Sequence, residues 1–213
     1  MSALTLEQVT LRIDGRSLFA PLSLRVEPGA VTSVIGPSGS GKSSLLKFLC
    51  GILPADITAT GSLRLGDDDL SALPTQSRKL GLLFQDPLLF PHLDVTGNLL
   101  FGLRAGGTRR ERQQRAQDAL ASVGLEGLGQ RDPATLSGGQ QARVALLRVL
   151  LAEPRALLLD EPFRSLDDDN RAHVRELVFS EARRRGLPTL LVTHDQGDVK
   201  AAAGAVVALQ AAA

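Results

Sequence analysis

The sequence predicts an α/β fold with a parallel core sheet, an N-terminal antiparallel β-subdomain and an inserted helical subdomain. Three observations predict it. The short, largely apolar runs VTSVI (31–35), LGLLF (80–84), ALLLD (156–160) and TLLVT (189–193) suit buried central strands of a parallel sheet. Helical patterns fall between these runs, and strands alternating with helices imply an α/β architecture. By contrast, LTLEQVTLRI (4–13), LSLRVE (22–27) and GSLRL (61–65) largely alternate apolar and polar residues, as antiparallel strands with one solvated face do.

The helices follow in order. GKSSLLKFLCGIL (41–53) comes directly after the first central strand, and RRERQQRAQDALASVGL (109–125) lies mid-chain. GGQQARVALLRVLLAE (138–153) stops at Pro154, and DNRAHVRELVFSEARRRG (169–186) stops at Gly186 and Pro188. AVVAL (205–209) adds a further strand. Residues 86–135 contain helices and loops without a strand pattern, so they are expected to form the helical insertion. Residues 1–85 and 136–213 then form the core with its antiparallel β-subdomain.

Composition narrows the function. The 213 residues are 43% hydrophobic, enough for a sizeable core. With 24 basic and 23 acidic residues the net charge is +1, which gives no footprint for nucleic acid. The basic run TRRERQQR (108–115) reads as a solvated helix face. The single cysteine, Cys50, allows no intrachain disulfide and fits a reducing compartment. Neither a signal-peptide pattern nor an apolar window of about 18 residues is visible. The expectation is a soluble, cytoplasmic chain able to dock onto a membrane protein.

VTSVIGPSGSGKSSLL (31–46) reads as strand, glycine-rich turn and helix. Gly36, Gly39 and Gly41 permit backbone conformations that side chains would block, so successive N–H groups can cradle a polyphosphate. Pro37, Ser38 and Ser40 complete the turn, and Ser43 and Ser44 open the helix, whose positive end adds to the attraction. Lys42 supplies a positive charge for β- and γ-phosphates, and Ser43 a hydroxyl for Mg²⁺. The loop therefore predicts nucleotide binding.

ALLLDEP (156–162) ends a buried strand on two acids. Asp160 is positioned for the Mg²⁺ shell and Glu161 for an attacking water. Gln85 and His194 end two other apolar runs, and ligands of parallel sheets bind at the carboxyl ends of strands. Gln85 could contact Mg²⁺ and the water, and His194 could donate to the γ-phosphate. TLSGGQQARVAL (135–146) is written like a second phosphate-binding helix start.

GPSGSGKS, Gln85, LSGGQ, LLLDEP, SLD and His194 occur in the order found in the nucleotide-binding domain of an ABC transporter. The resemblance covers essentially the whole chain, and LFQDPLLFPHLDVTGNLLFGL (83–103) is most similar to bacterial importer ATPases. It implies a P-loop NTPase of the ABC ATPase type that binds ATP with Mg²⁺ and hydrolyses it. Residues 36–43 resemble the Walker A loop, Asp160 the Walker B acid and Glu161 the catalytic glutamate. Gln85 resembles the Q-loop residue, Asp167 the D-loop residue and His194 the switch histidine. Ser137, Gly138, Gly139 and Gln140 resemble the signature, which in this family caps the nucleotide of a second copy. The implied partners are therefore a head-to-tail homodimer, transmembrane permease subunits and, indirectly, a substrate-binding protein, at the cytoplasmic face of the inner membrane. A soluble ABC ATPase without a transport role is the alternative. One position departs from the family. Where most members carry an aromatic residue to stack on adenine, the chain has Ile13, and it has no Tyr or Trp at all. Phe19 is nearby in sequence but displaced. Weak discrimination between ATP and GTP is expected.

Overall fold

The computed structural model describes residues 2–210; the side chain of Asp169 lies outside the description. The strands are β1 (Leu4–Ile13), β2 (Arg16–Ser17), β3 (Leu22–Val26) and β4 (Val31–Ile35), followed by helix α1 (Lys42–Cys50). Next come β5 (Ile57–Leu65), β6 (Asp68–Asp69), α2 (Thr75–Arg78) and β7 (Leu80–Leu83). Helices α3 (Val95–Gly102) and α4 (Arg109–Ser122), a 3₁₀ turn at Pro133–Thr135 and α5 (Gly138–Leu151) follow. The chain continues with β8 (Ala156–Asp160), α6 (Asp168–Arg184), β9 (Thr189–Val192), α7 (Gln196–Ala202) and β10 (Val206–Ala208).

One sheet runs β10-β4-β9-β8-β7, with β10–β4, β4–β9 and β9–β8 pairing parallel. Its strands are the apolar runs seen in the sequence, and β8 and β9 are buried almost end to end. The register is functional: Val34 of β4 and Asp160 of β8 both lie opposite Val192 of β9. The phosphate loop, the acid pair and the residue after β9 therefore leave the sheet at one level.

The other sheet runs β2-β1-β5-β6, with β3 also pairing antiparallel to β1. The third antiparallel strand was expected at 61–65, but β5 begins at Ile57. Gly61 is not its start but the partner of a bulge in β1. Gln8 takes a positive φ of 50°, and the register against both neighbours shifts there. A Cβ on Gly61 would lie 2.7 Å from the carbonyl oxygens of Glu7 and Gln8, so only glycine fits. The bulge changes the alternation phase. Leu4 and Leu6 before it and Val9 and Leu11 after it all reach the core.

The chain divides into two compact units. The first runs through Leu82, rejoins at Arg155–Glu161 and resumes at Phe179. Its core packs both sheets around α1, through Leu4, Leu11, Leu45, Leu49, Leu158 and Leu190 among others. Cys50 is buried in this core, and burial pushes its thiol up to about 11. The second unit comprises Leu83–Pro154 and Pro162–Val178. It is wider than residues 86–135 because α5 shares a core with α3 and α4: Val144 and Leu147 pack with Val95, Leu99, Ala116 and Leu120.

Candidate nucleotide site

In the first unit, β4 runs into the glycine-rich turn and α1. Gly41 caps α1 at φ 88°, and no side chain caps the helix. A Cβ there would sit 3.0 Å from the ring of Phe19, which is fully buried. The first turn of α1 lines a cleft of about 310 Å³ together with Ser38, Gly39, Ile13, Leu18, Ile57 and Glu161. The ammonium of Lys42 is folded into the loop and donates to the carbonyls of Gly36 and Pro37, each at 2.8 Å. The cleft is lined by the polar side chains of Ser38, Lys42, Ser43, Ser44 and Glu161 and by the aliphatic ones of Ile13, Leu18 and Ile57.

The Ser43 hydroxyl donates to Asp160 Oδ1 at 3.1 Å, joining residues 117 positions apart. Asp160 is held above its ordinary carboxylate value, chiefly by burial, against the Ser43 hydrogen bond and with the Glu161 charge adding to the rise. Among the described residues no group of three His, Cys, Asp or Glu side chains is placed to hold a metal alone. A hydroxyl and a carboxylate fit Mg²⁺, which keeps several waters and takes phosphate oxygens as ligands.

Glu161 leaves β8 with φ 45°, a conformation rare for non-glycine residues, while its N–H still donates to Val192 at 2.9 Å. The turn separates the two acids. Asp160 faces Ser43, and the Glu161 carboxylate lies 3.2 Å from His194 Nδ1.

The second unit holds the remaining predicted residues. Ser137 caps α5 in a capping box: Gln140 N–H donates to its hydroxyl at 3.3 Å, and Ser137 N–H donates to Gln140 Oε1 at 2.9 Å. Ser137 and Gly138 are exposed, while Gly139 is buried under Asn170, whose side chain also donates to Asp167 at 2.7 Å. Gln85 is exposed, and its carbonyl accepts from the Ser165 hydroxyl at 3.3 Å. The predicted residues thus form two groups: the loop with Asp160, Glu161 and His194 in one unit, and Gln85, Asp167 and the signature in the other.

A family model described as ABC transporter matches residues 19–164. The chain belongs to this family, and with it to the ABC ATPases. It is 46% identical over 198 residues to the ABC transporter ATP-binding protein YnjD of Escherichia coli K12, covering 93% of this chain and 91% of that protein. It is 42% identical over 190 residues to the Fe(3+) ions import ATP-binding protein FbpC 1 of Rhizobium meliloti. There the match covers 89% of this chain and 53% of the relative, so the chain spans about half the length of that protein. Among solved structures it is similar to the dimeric, post-hydrolysis ATP-binding cassette MJ0796 bound to ADP and Pi. The TM-score is 0.79 at 28% identity, over 97% of this chain and 94% of that one.

Two residues of the cleft, Leu18 and Ile57, and two buried polar groups of the same unit, Arg78 and Asp198, are not foreseen from the sequence. Leu18 and Ile57 line the cleft beside Ile13, and nothing local marks them. Arg78, 6% exposed, donates to the carbonyls of Phe48 and Leu49 at the end of α1 and to those of Ser71 and Leu73. Asp198 is buried four residues after His194. Its only sequence signal was Asp195 three residues before it, the spacing of a helix cap.

Proposed function

We propose that this ABC ATPase energises solute import as a head-to-tail homodimer docked on permease subunits at the cytoplasmic face of the inner membrane. A substrate-binding protein would present the solute. The observation that carries the dimer is the division of the phosphate-binding groups. The Walker A loop, Asp160, Glu161 and His194 lie in one unit, while Ser137 and Gly138 stand exposed at a capped helix start in the other. Two such chains related by a two-fold axis would form two composite sites. The dimeric state of the similar cassette supports a dimer. Import is supported by the iron-import relatives, and permease docking by the exposed Leu88 and Phe101 beside Phe90, whose ring lies 4.5 Å from that of Phe101.

Within each site Lys42 would release its carbonyl contacts and hold the β- and γ-phosphates. Ser43 and Asp160 would hold Mg²⁺, which would supply charge neutralisation on the phosphates. Glu161 would orient and deprotonate the attacking water, and His194 would donate to the γ-phosphate.

Mixing two inactive variants tests the dimer. Lys42→Ala loses the loop but keeps the signature; Ser137→Arg does the reverse. A heterodimer contains one intact composite site. An equimolar mixture should recover about a quarter of parental hydrolysis, half the dimers being mixed and half their sites intact. Activity no greater than the mean of the separate variants would reject the head-to-tail site.

A further inference from the structure

We infer that Asp198 is a positioning residue for His194, acting through Thr193. The inference rests on the proposed contact between His194 and the γ-phosphate. His194 is half exposed and cannot be held by packing. The residues on either side of it are held instead. Asp198 is 3% exposed and Thr193 2% exposed, and the Thr193 hydroxyl donates to Asp198 Oδ2 at 2.9 Å. The same hydroxyl accepts from Asp195 N–H at 3.1 Å, and Asp195 Oδ1 accepts from Asp198 N–H at 2.9 Å. A closed ring of three hydrogen bonds therefore brackets His194. It anchors the histidine to the first turn of α7, while Thr193 N–H donates to Val34 in the strand that leads into the phosphate loop. The ring fixes the backbone from which the imidazole reaches Glu161. A buried carboxylate accepting from a buried hydroxyl is costly to disturb, because removing one partner strands the other without water. The geometry of His194 is thus set through the backbone by a buried carboxylate four residues on.

The test uses the full chain. Asp198→Ala should lower kcat for ATP by about ten- to a hundredfold, as loss of alignment does, and leave KM within about twofold. Asp198→Asn, which keeps an acceptor oxygen for Thr193, should return to within about threefold of the parent. In a His194→Ala background, Asp198→Ala should cost less than about twofold more, because the two losses are one. In the NMR spectrum the His194 imidazole signal should shift or broaden in Asp198→Ala, while those of His92 and His173 stay put. Should Asp198→Ala not fold, Thr193→Val removes the same hydroxyl at equal volume and takes its place in each measurement. Equal losses of kcat in both backgrounds would overturn the inference, as would an unmoved His194 signal. Absence of hydrolysis in the parent would instead refute the function reading, and the imidazole signal would still judge this inference.

Discussion

Replacing Arg78 with methionine should unfold the first unit at markedly lower temperature. Methionine keeps an apolar stem of similar reach, so the loss is confined to the guanidinium. Arg78 donates four hydrogen bonds, to Phe48 at 2.6 Å, Leu49 at 2.8 Å, Leu73 at 2.8 Å and Ser71 at 3.0 Å. They are not lost at equal cost. The Phe48 carbonyl also accepts from Gly51 N–H, and Ser71 and Leu73 are open enough for water to replace the arginine. The Leu49 carbonyl belongs to a fully buried residue and would be stranded, at about 1–3 kcal/mol. Removing the positive charge from the end of α1 costs roughly another 1 kcal/mol against the helix dipole. The sum is about 3 kcal/mol. For a chain of this size each kcal/mol moves Tm by about 2–4 °C, so a fall of roughly 6–12 °C is expected by calorimetry or circular dichroism. A fall under about 2 °C would show that water satisfies all four carbonyls and that the arginine is not the anchor of α1.

Three further outcomes follow from the site. Glu161→Gln should bind ATP, form ATP-dependent dimers in size-exclusion chromatography and lose at least about a hundredfold in hydrolysis; normal turnover would remove Glu161 from the catalytic role. Asp160→Asn should be inactive yet melt higher than the nucleotide-free parent once the pH rises past the parent's raised carboxyl value. A carboxyl whose folded pKa is raised holds its proton more tightly when folded, so the parent loses stability as pH rises from its ordinary value of 3.8 through the raised one. The amide never ionises, and a variant that melts lower across that window would contradict the raised pKa. The aliphatic part of the cleft lining, Ile13, Leu18 and Ile57, offers apolar contact but no side-chain hydrogen bond to a base. ATP and GTP should therefore be hydrolysed with kcat/KM values within about tenfold, and a hundredfold preference for ATP would refute that account.

Much of the α/β ATPase was legible in the sequence because the demands involved are local. Buried parallel strands must be apolar over their whole length, and the runs at 31–35, 156–160 and 189–193 became β4, β8 and β9. A polyphosphate loop needs glycines beside a helix start, and residues 36–44 carry that pattern in consecutive positions. Local patterns misled where an extra residue shifted the phase. The adjacent polar pair Glu7 and Gln8 marks the bulge in β1, and Gly61 belongs opposite it rather than at a strand start. The same shift carries Ile13 to the cleft, and Phe19 goes wholly into the core, where it cannot stack on a base.

The sequence by itself determined the chemistry available to this protein: a charged phosphate loop, two adjacent acids, polar residues after two further apolar runs and a second helix start rich in glycine. Those features are written in consecutive residues, so spacing alone reveals them. Only the tertiary structure decided how they are used. It turned Asp160 towards Ser43 and Glu161 towards His194 by a single left-handed residue, gave the cleft three aliphatic lining side chains from separate segments, and closed a ring of hydrogen bonds through the residues flanking the histidine. Each of these joins groups whose partners are chosen by register and packing, and neither register nor packing has a period that a single stretch of chain can display.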